Sequence, residues 1–447
     1  MEKTYPSTIL VFLPEITPRV EYTFKFIFQT ILGVEVVYTT SLDEFIQSEF
    51  AKINYSSTNM SSGLFLKPHP LLFEKKIDFQ EIVEVQYDEY RLFFPSSEDS
   101  FLPFDPFACT FYLISRYEEY LSENTDQHER FTETESVLYQ LQMHQKPLVD
   151  LMAYWIANKL SNQFPEFKIQ ERSFRFLTTI DVDNAWAFKN KSWLILLGAT
   201  LKAAIRGQWS EIKQRLVVSL GLQKDPYDTY KYILETYAGQ LNHILFFFLI
   251  GNRNSYDKNI SHKNKHFREL ISSLASICAV GIHPSYASNE KPWLFEKEKD
   301  RLETIIKKTV TQSRQHYLKL RFPKTYQNLI KTNITDDYTM GFANLVGFRA
   351  GTCTPFPFFD LSNNKETRLM VHPFQAMDVT LKNYLHLTPE KAMQLIQELM
   401  LEVKNVDGTF ISLWHNESLK DSDQWLEWHK IFEQILETGL NYSNEES

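Results

Sequence analysis

Glycine is scarce in this sequence, 13 among 447 residues, so the Gly-rich loops that cradle phosphates have little material to form from. Cysteine is scarcer still. Cys109, Cys278 and Cys353 are an odd, scattered set with no CxxC pair, which argues against a disulfide framework or a thiolate zinc site and suits a reducing compartment. An excess of positive charge is missing as well. The formal net charge is −9, so no general basic field recruits nucleic acid. The longest apolar runs, Trp193–Ala204 and His243–Ile250, fall short of the roughly 20 residues that cross a bilayer. The opening Met1-Glu-Lys-Thr-Tyr-Pro6 lacks the basic and apolar regions of a secretory signal, and the expectation is a cytoplasmic protein.

Hydrophobic residues make up 43% and charged residues 23%, the balance of a globular chain and not of a disordered or fibrous one. The length leaves room for two or three domains. With 35 Phe and 22 Tyr, ring-packed cores are expected first and a carbohydrate site second. Thr8–Leu13 reads as a buried strand, Val20–Leu32 as an amphipathic helix broken by Gly33, and Val34–Tyr38 as the next strand. That β-α-β start, with a short strand at Gly63–Leu66 and helical spacing from Asp105 to Tyr120, describes a small α/β unit. Polar residues 122–135 read as a connector. Beyond it, a helix at Leu148–Leu160 leads to strands at Phe174–Ile180, His243–Ile250, Ala279–Ile282, Gln315–Leu320 and Thr409–Trp414, with helices such as Glu298–Lys308 and Pro389–Val403 between them. Such alternation implies a mostly parallel sheet or barrel.

Four polar clusters fall at the ends of those strands: Asp181-Val-Asp183, Gly281-Ile-His-Pro-Ser-Tyr286, Arg314-Gln-His316 and Leu413-Trp-His-Asn416. Each alone reads as readily as a turn, a cap or a hydrogen-bonded structural residue. Together they supply two carboxylates and three imidazoles at the carboxyl ends of strands, where α/β barrels carry their chemistry, and that inventory suits a metal-assisted hydrolase. In an extended strand Asp181 and Asp183 share one side, so one can hold a divalent cation while the other takes a proton from bound water.

In this order, over about residues 170–420, the clusters resemble the motifs of the NodB-homology polysaccharide deacetylases (carbohydrate esterase family four), in a bacterial branch with an extra N-terminal domain. Thr179-Ile-Asp-Val-Asp183 is similar to the family's first motif, and Gly281–Tyr286 to its metal-binding second motif. Arg314-Gln-His-Tyr-Leu318 falls where an Arg motif is expected, and Ile411-Ser-Leu-Trp-His415 is similar to the closing Leu-x-His. Pro103–Ala108 and Ser115–Tyr120 resemble the accessory domain of that branch. The resemblance implies a distorted (β/α) barrel at 136–447, with a helical insertion at about 190–240, preceded by an α/β domain at 1–135. It implies removal of an N-acetyl or related acyl group from a carbohydrate, either a polysaccharide or a lipid-linked sugar. Asp181 is then the general base, His415 the general acid, and Arg314 the group that keeps Asp181 ionised. Asp183 and His283 are ligands to a divalent cation, with zinc favoured.

Two departures bear on this reading. The second motif of the family carries two His four residues apart, whereas His283 is followed at that distance by Ala287, and the family's Asp-Asp pair is spread here to Asp-x-Asp. His316 is therefore expected as the third ligand, with Asp257, Asp336 and His372 ranked behind it. Arg349, between Gly347 and Gly351, is expected to contact substrate with Trp414 and Tyr286. The loss of the second His leaves a rival reading, a sugar-binding or scaffolding pseudoenzyme with an incomplete metal site. A glycosidase using Asp181 and Asp183 is a third reading, weakened because two Asp on one strand rarely flank a sugar bond. The run Trp193–Arg206, with Lys202 and Arg206 beside an apolar face, has the composition of a helix that rests on a membrane, although packing over the barrel is the expectation the sequence favours.

Overall fold

The structure, a computed structural model, describes residues 6–421 and 425–444. Four short strands, β1 (Thr8–Phe12), β2 (Glu35–Thr39), β3 (Ala51–Tyr55) and β4 (Leu64–Leu66), form a parallel sheet in the order β2-β1-β3-β4. The helix between β1 and β2 starts at Pro18 behind Thr17, whose hydroxyl caps Val20 N, and its last turn widens into a π-helix over Phe26–Ile31. A hairpin of β5 (Glu84–Tyr87) and β6 (Tyr90–Phe93) follows. The segment read as one helix from Asp105 to Tyr120 is two helices, Pro106–Ile114 and Tyr117–Leu121, because Arg116 takes a left-handed backbone between them.

Nine strands build the larger sheet: β7 (Arg175–Val182), β8 (Ile244–Leu249), β9 (Ala279–His283), β10 (Gln312–Ser313), β11 (Asp336–Asp337), β12 (Phe356–Asp360), β13 (Lys365–Val371), β14 (Ala376–Met377) and β15 (Thr409–His415). Their order is β12-β13-β11-β10-β9-β8-β7-β15-β14. Every pairing is parallel except β12 with β13. The fold is mixed α/β, with helices between the parallel strands as their connection requires.

Alternation along β8 shows how the sheet curves. Leu245 and Phe247 face a small enclosed cluster with Leu318, Tyr338, Phe374, Met377 and Leu413, whereas Phe246 and Phe248 face the main core. A sheet with such an inner cluster is barrel-like. It is not a closed barrel among the described residues, since its end strands β12 and β14 do not pair.

The strand expected at Gln315–Leu320 is shorter and earlier. After β10 the chain turns through a 3-10 segment, His316–Leu318, with φ of 61° at Tyr317 and 54° at Leu318. The polar-apolar alternation of that stretch mimics a strand, but two successive left-handed residues cannot continue one.

Residues 193–236 form the insertion, with helices Trp193–Ile205, Trp209–Ser219 and Tyr230–Thr236. Among the described residues the N-terminal part shares its apolar core with the rest of the chain. One continuous apolar cluster runs from Ile9 to Leu436 and joins the small sheet to the large one. No helix among the described residues is long and apolar enough to cross a membrane.

Candidate metal centre

Because β7, β8, β9 and β15 run parallel, their carboxyl ends emerge at one edge, and the polar clusters meet there. His415 on β15 is registered directly opposite Asp181 on β7. His283 closes β9, and Asp183 lies just beyond β7.

Three ligand-type side chains converge. Asp183, His283 and His316 each offer an atom within 4.8 Å of the others'. His283 Nε2 is 3.2 Å from Asp183 Oδ1 and His316 Nε2 is 3.4 Å from Asp183 Oδ2. Behind the rings, His283 Nδ1 meets the carbonyl of Arg314 at 2.6 Å and His316 Nδ1 meets Asp257 Oδ1 at 2.8 Å. A carbonyl oxygen can only accept, so the His283 proton sits on Nδ1 and its Nε2 lone pair faces Asp183. The outer carboxylate orients His316 in the same sense, as partners behind metal-binding imidazoles do. Asp183 Oδ1 is buried and accepts no hydrogen bond. Two inward imidazole nitrogens and an unsatisfied carboxylate oxygen fit a divalent cation better than they fit one another.

Two further pairs flank this triad. Asp181 lies under Arg314, whose Nη1 donates to Asp181 Oδ1 at 3.1 Å and to Thr179 Oγ1 at 2.6 Å while its Nε donates to the Tyr338 carbonyl at 2.9 Å. Arg314 is fully buried, so this is not a surface ion pair. His415 receives Asp378 from behind, with Nδ1 to Oδ1 at 2.9 Å and the His415 backbone N–H donating to Oδ2 at 2.7 Å. Its Nε2 points inward, 4.0 Å from Asp183 Oδ2.

The electrostatics follow from the crowding. Burial disfavours a charged His415, but the Asp378 carboxylate outweighs it and pushes the imidazole up to about 10. Burial likewise opposes charge on His316, and Asp183 with Asp257 lifts it to about 9. Burial works to raise Asp183, yet the neighbouring His316 charge, with His283 beside it, holds it well below the usual carboxylate range. Without a cation, protons on imidazole compensate the carboxylates.

A cleft of about 450 Å³ opens over these groups, with Asn184, Tyr256, Tyr317 and Glu417 on its walls. That volume suits a small-molecule site. Tyr256 stacks on Tyr286 at 4.1 Å, and Tyr317 meets both rings edge-on. His128 from the connector packs against the same rings, and Arg130 lines the cleft and donates to the Tyr317 carbonyl. The connector is thus one wall of the site.

Several expected site residues lie elsewhere. Arg349 is buried outside the cleft, paired with Glu119 at 2.7 Å and donating to the Gly341 carbonyl. Its flanking Gly347 and Gly351, at φ of 120° and 66°, approach His144 and Leu113, not a ligand. Trp414 is buried against Phe432, because strand alternation turns it to the face opposite His415. Tyr286 backs Tyr256 instead of lining the cleft itself. Asp257 supports His316 from behind, and Asp336 pairs with His372 at 2.8 Å away from the cleft. Asp378 and Glu417 had no sequence signal beyond being polar. Asp378 follows a two-residue strand, too short for periodicity to mark.

Residues 9–165 match a family of unknown function, DUF7033. No curated protein matches the chain. Solved structures that align with 60% of it include a candidate polysaccharide deacetylase from Mycobacterium smegmatis, at 13% identity, TM-score 0.38 and 85% of that chain. A CE4 family pseudoenzyme from Bacillus anthracis aligns over 60% of this chain and 62% of its own, at 11% identity and TM-score 0.31. Puue allantoinase aligns over 60% and 85%, at 9% identity and TM-score 0.39. These likenesses are loose, and the chemistry has to be read from the side chains.

Proposed function

We propose that this chain is a metal-dependent hydrolase that removes an N-acetyl or related acyl group from a carbohydrate, polymeric or lipid-linked. One observation carries the reading: Asp183, His283 and His316 converge with their outer nitrogens already engaged, and an Asp181–Arg314 pair and a His415–Asp378 pair flank them. Two imidazoles and one carboxylate with open space beside them are the donor set of catalytic zinc sites. A divalent cation held there, with zinc favoured, supplies Lewis acidity toward a carbonyl oxygen and makes water more acidic.

The protein's own groups divide the proton transfers. Asp181, fixed by Arg314, accepts the proton of the attacking water. Arg314 stays charged and donates to only one Asp181 oxygen, which leaves Oδ2 free on the His283 side. His415, kept protonated by Asp378, gives its proton to the departing amine. Tyr256, 43% exposed at the rim, offers a flat face to a sugar ring.

Asp181→Asn preserves the Arg314 contact but cannot accept a proton. The expected outcome is unchanged zinc affinity with deacetylation of an N-acetylated oligosaccharide lowered roughly 10²–10⁴-fold. Wild-type turnover in that variant overturns the assignment.

A further inference from the structure

The insertion carries a surface that the metal centre does not explain. Between residues 189 and 224 lie seven basic residues and one acidic residue, Glu211, a net charge of +6 in a chain of net charge −9. Glu211 is spent on Arg215, which is buried. Lys202, Arg206, Lys213 and Lys224 remain exposed.

Large apolar side chains are exposed on the same two helices. Trp193 is 70% exposed, Ile205 87% and Trp209 69%. Leu197, Leu201, Leu216, Leu220 and Leu222 are each half exposed or more. At about 100° per residue, Trp193, Leu197, Leu201 and Ile205 fall within an arc of roughly 120°. Lys202 and Arg206 lie roughly 60° and 100° beyond its edge, and the remaining arc holds Ala203, which is buried. On the second helix Trp209, Lys213 and Leu216 share one narrow stripe, continued by Leu220 at its C-cap and opposite the buried Val218. Each helix therefore packs inward on one side and offers a contiguous apolar face with a cationic margin on the other. Nothing among the described residues covers it. Scattered exposed leucines need no explanation, but a two-helix face of this size does.

We propose that the helical pair Trp193–Ser219 docks on an anionic bilayer surface. Aliphatic side chains and two tryptophans would enter the headgroup boundary, as interfacial amphipathic helices do to a depth of about 5–10 Å, and the lysines and arginine would meet acidic headgroups. Charge selects this occupant over a second copy, because an acidic partner surface is what the basic margin fits, whereas two copies of a face bearing four exposed cations repel. The sequence alone favoured packing of this helix over the barrel. The structure shows that packing uses only one side of it.

The test is co-sedimentation with vesicles of phosphatidylglycerol and phosphatidylcholine in equal parts, against phosphatidylcholine alone. Wild type is expected to partition onto the mixed vesicles, less so at high salt, with a blue shift of tryptophan emission. Lys202→Gln/Arg206→Gln/Lys213→Gln should weaken partitioning on the order of a hundredfold, at about fivefold per basic residue near an anionic surface. Leu201→Gln/Ile205→Gln should abolish the emission shift with the thermal unfolding midpoint unchanged, since both side chains are exposed. Failure to bind mixed vesicles overturns the proposal, as does binding that neither variant changes. Self-association of wild type that Leu201→Gln/Ile205→Gln abolishes, without vesicle binding, assigns the face to a second copy and overturns it equally.

Discussion

At the scale of single residues, the metal centre turns on His316. Ala287 stands where a second imidazole of the β9 motif is expected, and the ring that joins Asp183 and His283 instead arrives from the turn after β10. His316→Ala should lower zinc affinity in a metal titration by more than Asp257→Asn does, for which the loss of an outer partner implies about 10–100-fold. Equal affinity of His316→Ala and wild type would show that His316 is structural. His316 could be read from the sequence because it sits one strand-period from Arg314, although the strand that suggested this ends three residues earlier. Asp257 and Asp378 could not be ranked that way. Each acts from behind an imidazole, and only the tertiary arrangement tells an outer partner from a cap.

At the scale of elements, the helix Pro292–Ile306 braces the centre. Its buried Glu298 accepts hydrogen bonds from Ser285 N at 2.9 Å and Ser285 Oγ at 2.6 Å, and so fixes the chain just past His283. Burial lifts the Glu298 carboxyl to about 7, against the opposing pull of those hydrogen bonds. A carboxyl raised in the folded state favours folding in its protonated form. That stabilisation is complete below the unfolded value near 4.5 and is lost as pH rises through about 7. Thermal unfolding between pH 4.5 and 7.5 should show wild type losing stability relative to Glu298→Gln; a difference that stays constant with pH would refute it. Strand periodicity made β7, β8, β9 and β15 legible, since long buried strands read as apolar runs. It missed the antiparallel pair β12 and β13, and also β10, β11 and β14, two residues each, which owe their position to neighbouring strands and not to a pattern of their own.

For the whole molecule, the sequence suggested an accessory domain that ends near residue 135, but the contacts cross that boundary repeatedly. Glu119 accepts from Arg116 and from Arg349, all three side chains nearly or fully buried, and Arg116 also donates to the Arg349 carbonyl. Removing the one carboxylate that serves both guanidinium groups leaves the buried Arg349 without its ion-pair partner, while Arg116 keeps Glu118. Glu119→Gln is expected to cost about 3–5 kcal/mol in chemical unfolding, with zinc affinity of the folded protein unchanged because Arg349 lies outside the cleft. Loss below about 1 kcal/mol would mean that the network adds little, as surface pairs do.

Asp150 gives the same interlock a temporal meaning. It is fully buried in the helix Leu148–Gln163, and its carboxylate is satisfied by Thr352 Oγ1 at 2.7 Å, by Cys353 N at 3.1 Å and by the Thr354 hydroxyl, partners 202–204 residues further along the chain. During synthesis at roughly 5–20 residues per second, that separation lasts about 10–40 s. Through this interval the helix has left the ribosome while the hydroxyl and amide groups that donate to Asp150 have not been made, and Arg172, 3.9 Å from Asp150 Oδ1, is the earlier partner. The first third of the chain therefore cannot complete its packing around Asp150 until residues near 354 have been made, and the apolar faces that this packing covers stay open until then.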